Sequence, residues 1–134
     1  MIAFVVELEN RPGSAAEVTE AIAERGINVT GAAGVACGST GQVALTTNDE
    51  AGTRRALLGQ GFKFHEVEVV PVTIADSPGT FAQACRALAD ARINVEAAFG
   101  VALNGDRITL AFATDDPVKA RSILGQKSFA GSSH

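Results

Sequence analysis

The residues best placed to do chemistry are two Pro-Gly pairs, each where an alternating strand pattern gives way to a helical one. The first pair, Pro12-Gly13, follows Asn10, and the second, Pro78-Gly79, follows Asp76. The unpaired amides and the dipole of a helix N-terminus favour an anion such as an α-carboxylate. Glycine at that point lets a ligand approach the backbone closely. The pattern therefore predicts two polar half-sites for a small carboxylate-bearing molecule.

A further asparagine follows each Pro-Gly pair at the same distance along the chain. It lies in Ile27-Asn28-Val29 in the first case and in Ile93-Asn94-Val95 in the second. An amide side chain both donates and accepts hydrogen bonds, so it suits a carboxylate or an ammonium across an interface. The candidate ligand-binding residues are those of the two turns and these two asparagines: Asn10, Arg11, Pro12, Gly13, Ser14, Asn28, Asp76, Ser77, Gly79, Thr80 and Asn94.

Each of these residues also has a purely structural explanation. Arg11 offers a guanidinium fork for a carboxylate, but an arginine in such a position is often only solvated. Asp76 offers a carboxylate for an ammonium, but Asp76 and Asn10 equally suit helix caps. A Pro-Gly pair favours a tight turn before a helix whether or not a ligand binds there. Residue type alone leaves both explanations open.

Periodicity places these turns within two copies of one βαββαβ unit. In the first copy a helix is expected to begin at Pro12, where a missing N–H costs nothing, and to end at a left-handed Gly26. Its inward face is expected to carry Ala15 and Ala23 along with larger apolar residues. The expected elements of this copy are strands over 2–9, 27–37, 42–47 and 62–66 and helices over 12–25 and 50–58.

The second copy repeats the same order, ending with a short strand over 127–130. The predicted fold is α+β, with two tandem ferredoxin-like units over 1–66 and 67–130, each an antiparallel sheet with helices on one face. Residues 131–134 are expected to form a disordered tail. Pro71 lies inside the apolar run of the second copy, where a ladder needs an N–H. A bulge, or pairing that begins only after residue 71, is therefore expected.

Composition excludes several classes of function. The 134 residues carry a net charge of −4, which is unsuitable for a nucleic-acid surface. No apolar run is long enough for a membrane span, and the first residues lack the basic head of a signal peptide. We therefore expect a cytoplasmic protein with neither nucleic acid nor membrane as a partner. Cys37 and Cys85 are expected to be buried, reduced thiols, with one long-range disulfide as the alternative.

Catalytic signals are absent from the sequence. It shows no nucleophile elbow, no phosphate-binding loop and no spacing of cysteines, histidines and carboxylates that is typical of a metal site. We therefore expect a protein that is not an enzyme and that uses no cofactor and no metal.

The run Glu9-Asn10-Arg11-Pro12-Gly13, followed by an amphipathic helix and by Ile27-Asn28-Val29, resembles the ACT domain. The resemblance covers nearly the whole chain as two tandem units, as in the small stand-alone tandem-ACT proteins. ACT domains typically bind free amino acids at the interface of two paired units and signal to an attached or associated enzyme. The resemblance implies an amino-acid-binding regulatory protein that forms a homodimer and regulates a metabolic enzyme. The alternative is an oligomerisation module whose ligand sites have degenerated.

The resemblance also bears on the ligand. In the serine-sensing regulatory domain of phosphoglycerate dehydrogenase, asparagines at the positions of Asn10 and Asn28 contact the ligand. That domain has a histidine where this chain has Leu8, which argues against serine. The second copy keeps Asn94 but has Asp76 in place of the first asparagine, so the two sites are not expected to be equivalent.

Overall fold

The computed structural model describes residues 1–126 and residue 129, and within these the chain divides into two compact units. One unit is Ile2–Val67, and the other contains Met1 and the residues from Glu68 onward. The strands are β1 (Ile2–Glu9), β2 (Val29–Cys37), β3 (Thr40–Thr47), β4 (Phe64–Ala75), β5 (Val95–Asn104) and β6 (Arg107–Thr114). The helices are α1 (Ser14–Ala23), α2 (Glu50–Gly59), α3 (Thr80–Asp90) and α4 (Pro117–Gly125).

The first unit is an antiparallel sheet in the order β2-β3-β1-β4, covered on one face by α1 and α2. Alternation in β1 directs Phe4 and Val6 to that face, and Phe4 lies opposite Leu45 of β3. The helices pack Val18, Ile22 and Leu57 against these side chains, and all three are fully buried. This apolar core fixes the register of β1 against β3, and hence where β1 ends.

The second unit repeats the arrangement with the order β4-β6-β5, covered by α3 and α4. Val70 of β4 lies opposite Phe112 of β6, as Phe4 lies opposite Leu45 in the first unit. Leu88 of α3 and Leu124 of α4 pack on this pair. The predicted α+β class, with two repeated antiparallel units, is confirmed.

The predicted final strand over 127–130 lies outside the described residues except for Phe129. Phe129 is buried in the core of the second unit. Its carbonyl oxygen accepts a hydrogen bond from the amide of Ala75 at 3.1 Å. The predicted tail over 131–134 also lies outside the described residues.

Both helices that follow the Pro-Gly turns begin after the glycine, so the prediction that α1 starts at Pro12 is wrong. Gly13 and Gly79 are the N-cap residues, with φ of 94° and 91°. These angles lie outside the helical region and favour glycine. Ala15 and Ala23 are exposed rather than inward-facing, whereas Gly26 has the expected left-handed conformation, with φ of 71°.

The expectation of a bulge or delayed pairing at Pro71 is also wrong. β4 pairs with β6 from Val69 to Ala75 without a register shift, and Pro71 lies opposite Ala111. The amides of Val69 and Ala75 donate to Met1 and Phe129, which lie on the side of β4 away from β6. Amides alternate in direction along a strand, so the Pro71 nitrogen also faces away from β6. The ladder to β6 therefore loses no hydrogen bond.

Both cysteines are free, but only one is even partly buried. Cys85 is partly buried, and burial raises the pKa of its thiol. Cys37 is exposed at the end of β2, so the prediction that both thiols are buried is wrong. In the part of the chain that the structure describes, no helix is long and apolar enough to cross a membrane.

Candidate functional site

A cleft of about 300 Å³ opens in the first unit where the N-terminal end of α1 meets the sheet. It lies at the predicted Pro-Gly turn, because β1 ends there. β3, which pairs with β1, and β2, which pairs with β3, reach the same end of the sheet. The helix layer and the sheet layer both contribute apolar residues to the lining of the cleft. The residues that line it are Leu8, Glu9, Asn10, Arg11, Ser14, Ala15, Gly34, Val35, Ala36, Gly41, Gln42 and Val43.

Ser14 is the most unusual residue of this cleft. It is the first residue of α1 and is only 5% exposed. Its hydroxyl oxygen is buried and has no hydrogen-bond partner in the structure. A buried hydroxyl without a partner carries a desolvation cost of about 1–3 kcal/mol, and most buried polar groups are hydrogen-bonded. A bound ligand would supply the partner that the Ser14 hydroxyl lacks. This hydroxyl lies at a helix N-terminus, where the dipole favours an anion.

Asn10 lies on the rim of the cleft, where it ties the turn to the loop after β2. Its side-chain amide nitrogen donates to the carbonyl of Gly38 at 2.8 Å, and its backbone amide donates to Ser39 at 2.9 Å. The cap of α1 is Gly13, and it makes no side-chain cap bond, so Asn10 is not the helix cap. Its side-chain oxygen is the group that remains for a ligand.

Arg11 is engaged by carboxylates of its own chain. Its Nη2 lies 3.0 Å from a carboxylate oxygen of Glu17, and its Nε lies 2.9 Å from one of Glu9. The hydrogen bonds to Glu17 and then Glu9 raise the pKa of Arg11. Exposed pairs of this kind contribute little to stability, but they compete with a ligand carboxylate for the guanidinium. Arg11 is therefore less available to bind the carboxylate of a ligand than the sequence predicts.

Asn28 lies at the opposite end of the same unit from Asn10. Its backbone amide donates to the Asn48 side chain at 3.0 Å, and its carbonyl accepts from the Asn48 amide at 3.1 Å. β2 begins after Asn28 and ends beside Gly38, so the length of a strand separates the two asparagines. The structure does not bring Asn10 and Asn28 of one unit together.

The turn of the second unit has a different set of contacts. The amide of Asp76 donates to Asp106 at 2.7 Å. Thr80 takes the place of Ser14, and its hydroxyl donates to the Ser77 carbonyl at 2.9 Å. The hydroxyl of Ser77 is buried without a partner, although the residue as a whole is only partly buried. Asn94, like Asn28 in the first unit, lies at the opposite end of its unit from the turn. Its backbone amide donates to the Asp115 side chain at 3.0 Å.

The sequence prediction missed the apolar part of the cleft and one carboxylate. Glu9 lines the cleft beside Asn10, and Leu8, Ala15 and Gly41 form part of its walls. A signal for Ala15 is present in the sequence, since the second copy has Phe81 at the corresponding position. Among the described residues, no group of three or more histidines, cysteines and acidic residues is placed to hold a metal ion.

Comparison with known proteins points to one kind of domain. The ACT-domain family model matches residues 2–34, and no curated protein matches the sequence. A crystal structure of a protein from Bacteroides thetaiotaomicron superposes with a TM-score of 0.84 at 21% identity, covering 93% of this chain and 86% of the other.

Two regulatory subunits of aspartate kinase share the same fold. The ligand-free subunit from Thermus thermophilus has a TM-score of 0.69 at 24% identity, covering 93% of this chain and 89% of that one. The subunit from Thermus flavus has a TM-score of 0.64 at 23% identity, covering 93% and 90%. The chain therefore has an ACT-domain match in its first unit and the tandem fold of these regulatory subunits.

Proposed function

We propose that this protein is an amino-acid-binding regulatory protein whose ligand binds at the cleft of the first unit. The observation that carries the proposal is the buried, unpartnered hydroxyl of Ser14 at the N-terminus of α1, since Ser14 is one of the residues that line a cleft of suitable size. The protein binds its ligand without transforming it and passes the signal to a metabolic enzyme in the cytoplasm. The fold shared with aspartate kinase regulatory subunits supports a regulatory role.

The polar end of a free amino acid matches the polar end of the cleft. The α-carboxylate accepts from the Ser14 hydroxyl and lies at the positive end of the α1 dipole. The ammonium faces Glu9 and the side-chain oxygen of Asn10, both of which line the cleft. Pro12 and Gly13 set the turn, and the φ of 94° at Gly13 orients the first amides of the helix.

A second copy of the chain is proposed to complete this site. β2 is the outer strand of the first unit, has no charged residue, and carries Val35 with 74% of its surface exposed. Such an edge is suited to pairing with another strand. Antiparallel pairing of two copies of β2 about a two-fold axis places the start of one strand beside the end of the other. Asn28 of one copy then approaches the Asn10 turn of its partner.

A thermal-shift screen of the twenty common amino acids at millimolar concentration tests the proposal. A ligand at a hundred times its Kd stabilises the folded state by about 2.7 kcal/mol. For a chain of this size, such a stabilisation raises Tm by on the order of 10 °C. At least one amino acid is expected to produce such a shift, and an unchanged Tm with all twenty would contradict the proposal.

The second candidate function is an assembly module with degenerate ligand sites. It is favoured by the engagement of Arg11 with Glu9 and Glu17 and by the use of the Asn10 amide in holding a loop. It requires a stable oligomer whose Tm is the same with and without amino acids. Size-exclusion chromatography with light scattering, run beside the thermal-shift screen, separates the two functions.

A further inference from the structure

The two units differ at three positions that line the cleft of the first unit. Leu8 lies opposite Gly41 in the first unit, and Ile74 lies opposite Ile108 in the second, so Gly41 and Ile108 are structural counterparts. By the same pairing, Val43 corresponds to Leu110 through their partners in β1 and β4. The second residue of each helix is Ala15 in α1 and Phe81 in α3. At each of these three positions the side chain is larger in the second unit: Ile108 corresponds to Gly41, Leu110 to Val43 and Phe81 to Ala15.

The larger side chains of the second unit fill the corresponding space. The ring of Phe81 packs against that of Phe112, with 5.9 Å between their centroids, although Phe81 remains 43% exposed. Ile108 lies over Gly100, since a Cβ added to Gly100 would be 3.6 Å from the Ile108 Cδ1. β5 also has a register shift between Gly100 and Ala102, whereas no shift is present at the corresponding part of β2. Phe81 and Ile108 therefore lie at the positions that correspond to the cleft of the first unit.

The polar groups at the two helix starts differ in the same sense. Thr80 satisfies its hydroxyl by donating to Ser77, whereas the Ser14 hydroxyl is buried and unpartnered. The hydroxyl at the helix start therefore has a partner in the second unit and none in the first, although the Ser77 hydroxyl in the second turn is itself buried and unpartnered. The first unit lacks both an apolar group above the sheet and a partner for a buried hydroxyl.

We propose that the cleft of the first unit binds one α-amino acid per chain with an apolar side chain, and that Phe81 closes the equivalent groove of the second unit. The inference rests on the proposed function and specifies its ligand class. Phe81 and Ile108 show which chemistry the groove accepts, since they occupy its counterpart in the same chain. Leu8, Ala15 and Val43 supply an apolar part of the wall, against which burial favours an apolar side chain over an amide or a charged one.

Isothermal titration calorimetry with L-leucine and L-asparagine tests this inference, because the two side chains have similar shape and opposite polarity. One leucine is expected to bind per chain, and asparagine is expected to bind about tenfold more weakly or worse, because its amide loses water against an apolar part of the wall. Ala15→Phe fills the first cleft as Phe81 fills the second, and should abolish leucine binding. Ala16→Phe is the matched control, because Ala16 is also exposed on α1 but does not line the cleft.

The outcomes separate this inference from the function on which it rests. Two leucines bound per chain, or leucine binding that survives Ala15→Phe, would overturn it. Binding of polar or charged amino acids in place of apolar ones would overturn the ligand class while leaving amino-acid binding intact. Absence of binding by any amino acid would overturn both. Circular dichroism of each variant confirms that the fold is retained.

Discussion

Replacing Phe112 with alanine is expected to lower the free energy of unfolding by about 3–5 kcal/mol, the largest effect of any substitution considered. The Phe112 ring is fully buried between β4 and the helices of the second unit, opposite Val70. Truncation removes apolar contact and leaves a cavity that a closely packed core fills only in part. Urea unfolding followed by far-ultraviolet circular dichroism measures the loss.

Phe81→Ala is the control for this prediction, because Phe81 is the other member of the same aromatic pair. Its ring is 43% exposed, so its removal is expected to cost only about 1–2 kcal/mol. Equal losses for the two variants would show that the core of the second unit is not where the structure places it.

Replacing Gly41 with alanine is expected to destabilise the first unit by about 1–3 kcal/mol. A Cβ at this position would lie 2.9 Å from the carbonyl oxygen of Val35 and 3.0 Å from the Cβ of Ala36. Both contacts belong to the neighbouring strand β2, so relief requires the two strands to separate. Because Val35 and Ala36 line the cleft, ligand binding should weaken together with stability.

Gly125→Ala is the matched control, and its effect should have the opposite sign. Gly125 ends α4, and a Cβ there would meet no atom within 4 Å. Alanine is a better helix former than glycine, so a gain of about 0.5 kcal/mol is expected. Denaturant midpoints of the two variants, measured against the unaltered protein, test both signs. A neutral Gly41→Ala would contradict the close approach of β2 and β3.

The repeat, the order of the elements and the position of the turns could be predicted from the sequence because they depend on local signals. Period-two alternation predicts β1. Asp49 and Asp116 are the N-caps of α2 and α4, and Asn104-Gly105 marks the turn between β5 and β6, so these signals too are local. The pairing at Pro71 could not be predicted, because the direction of its missing N–H depends on which strand lies on each side of β4.

The candidate site could be predicted only in part, because most of it comes from distant parts of the chain. The turn residues are local, and the structure places Asn10, Arg11 and Ser14 on one cleft. The apolar wall depends on the register of β1 against β3, which sets Gly41 opposite Leu8. The engagement of Arg11 depends on the helical position of Glu17, and no pattern in the sequence marks Ser14 as unpartnered.

The central claim, that an amino acid is held by the buried hydroxyl at the start of α1, is tested most directly with Ser14→Ala. Without ligand, the variant should be as stable as the unaltered protein or about 1 kcal/mol more stable, because it loses an unsatisfied buried hydroxyl. With ligand, its affinity should fall by about tenfold to 150-fold, since a hydrogen bond to a charged group is worth about 1.5–3 kcal/mol. Calorimetric titration of both proteins with the same amino acid gives the result, and equal affinities would contradict the claim.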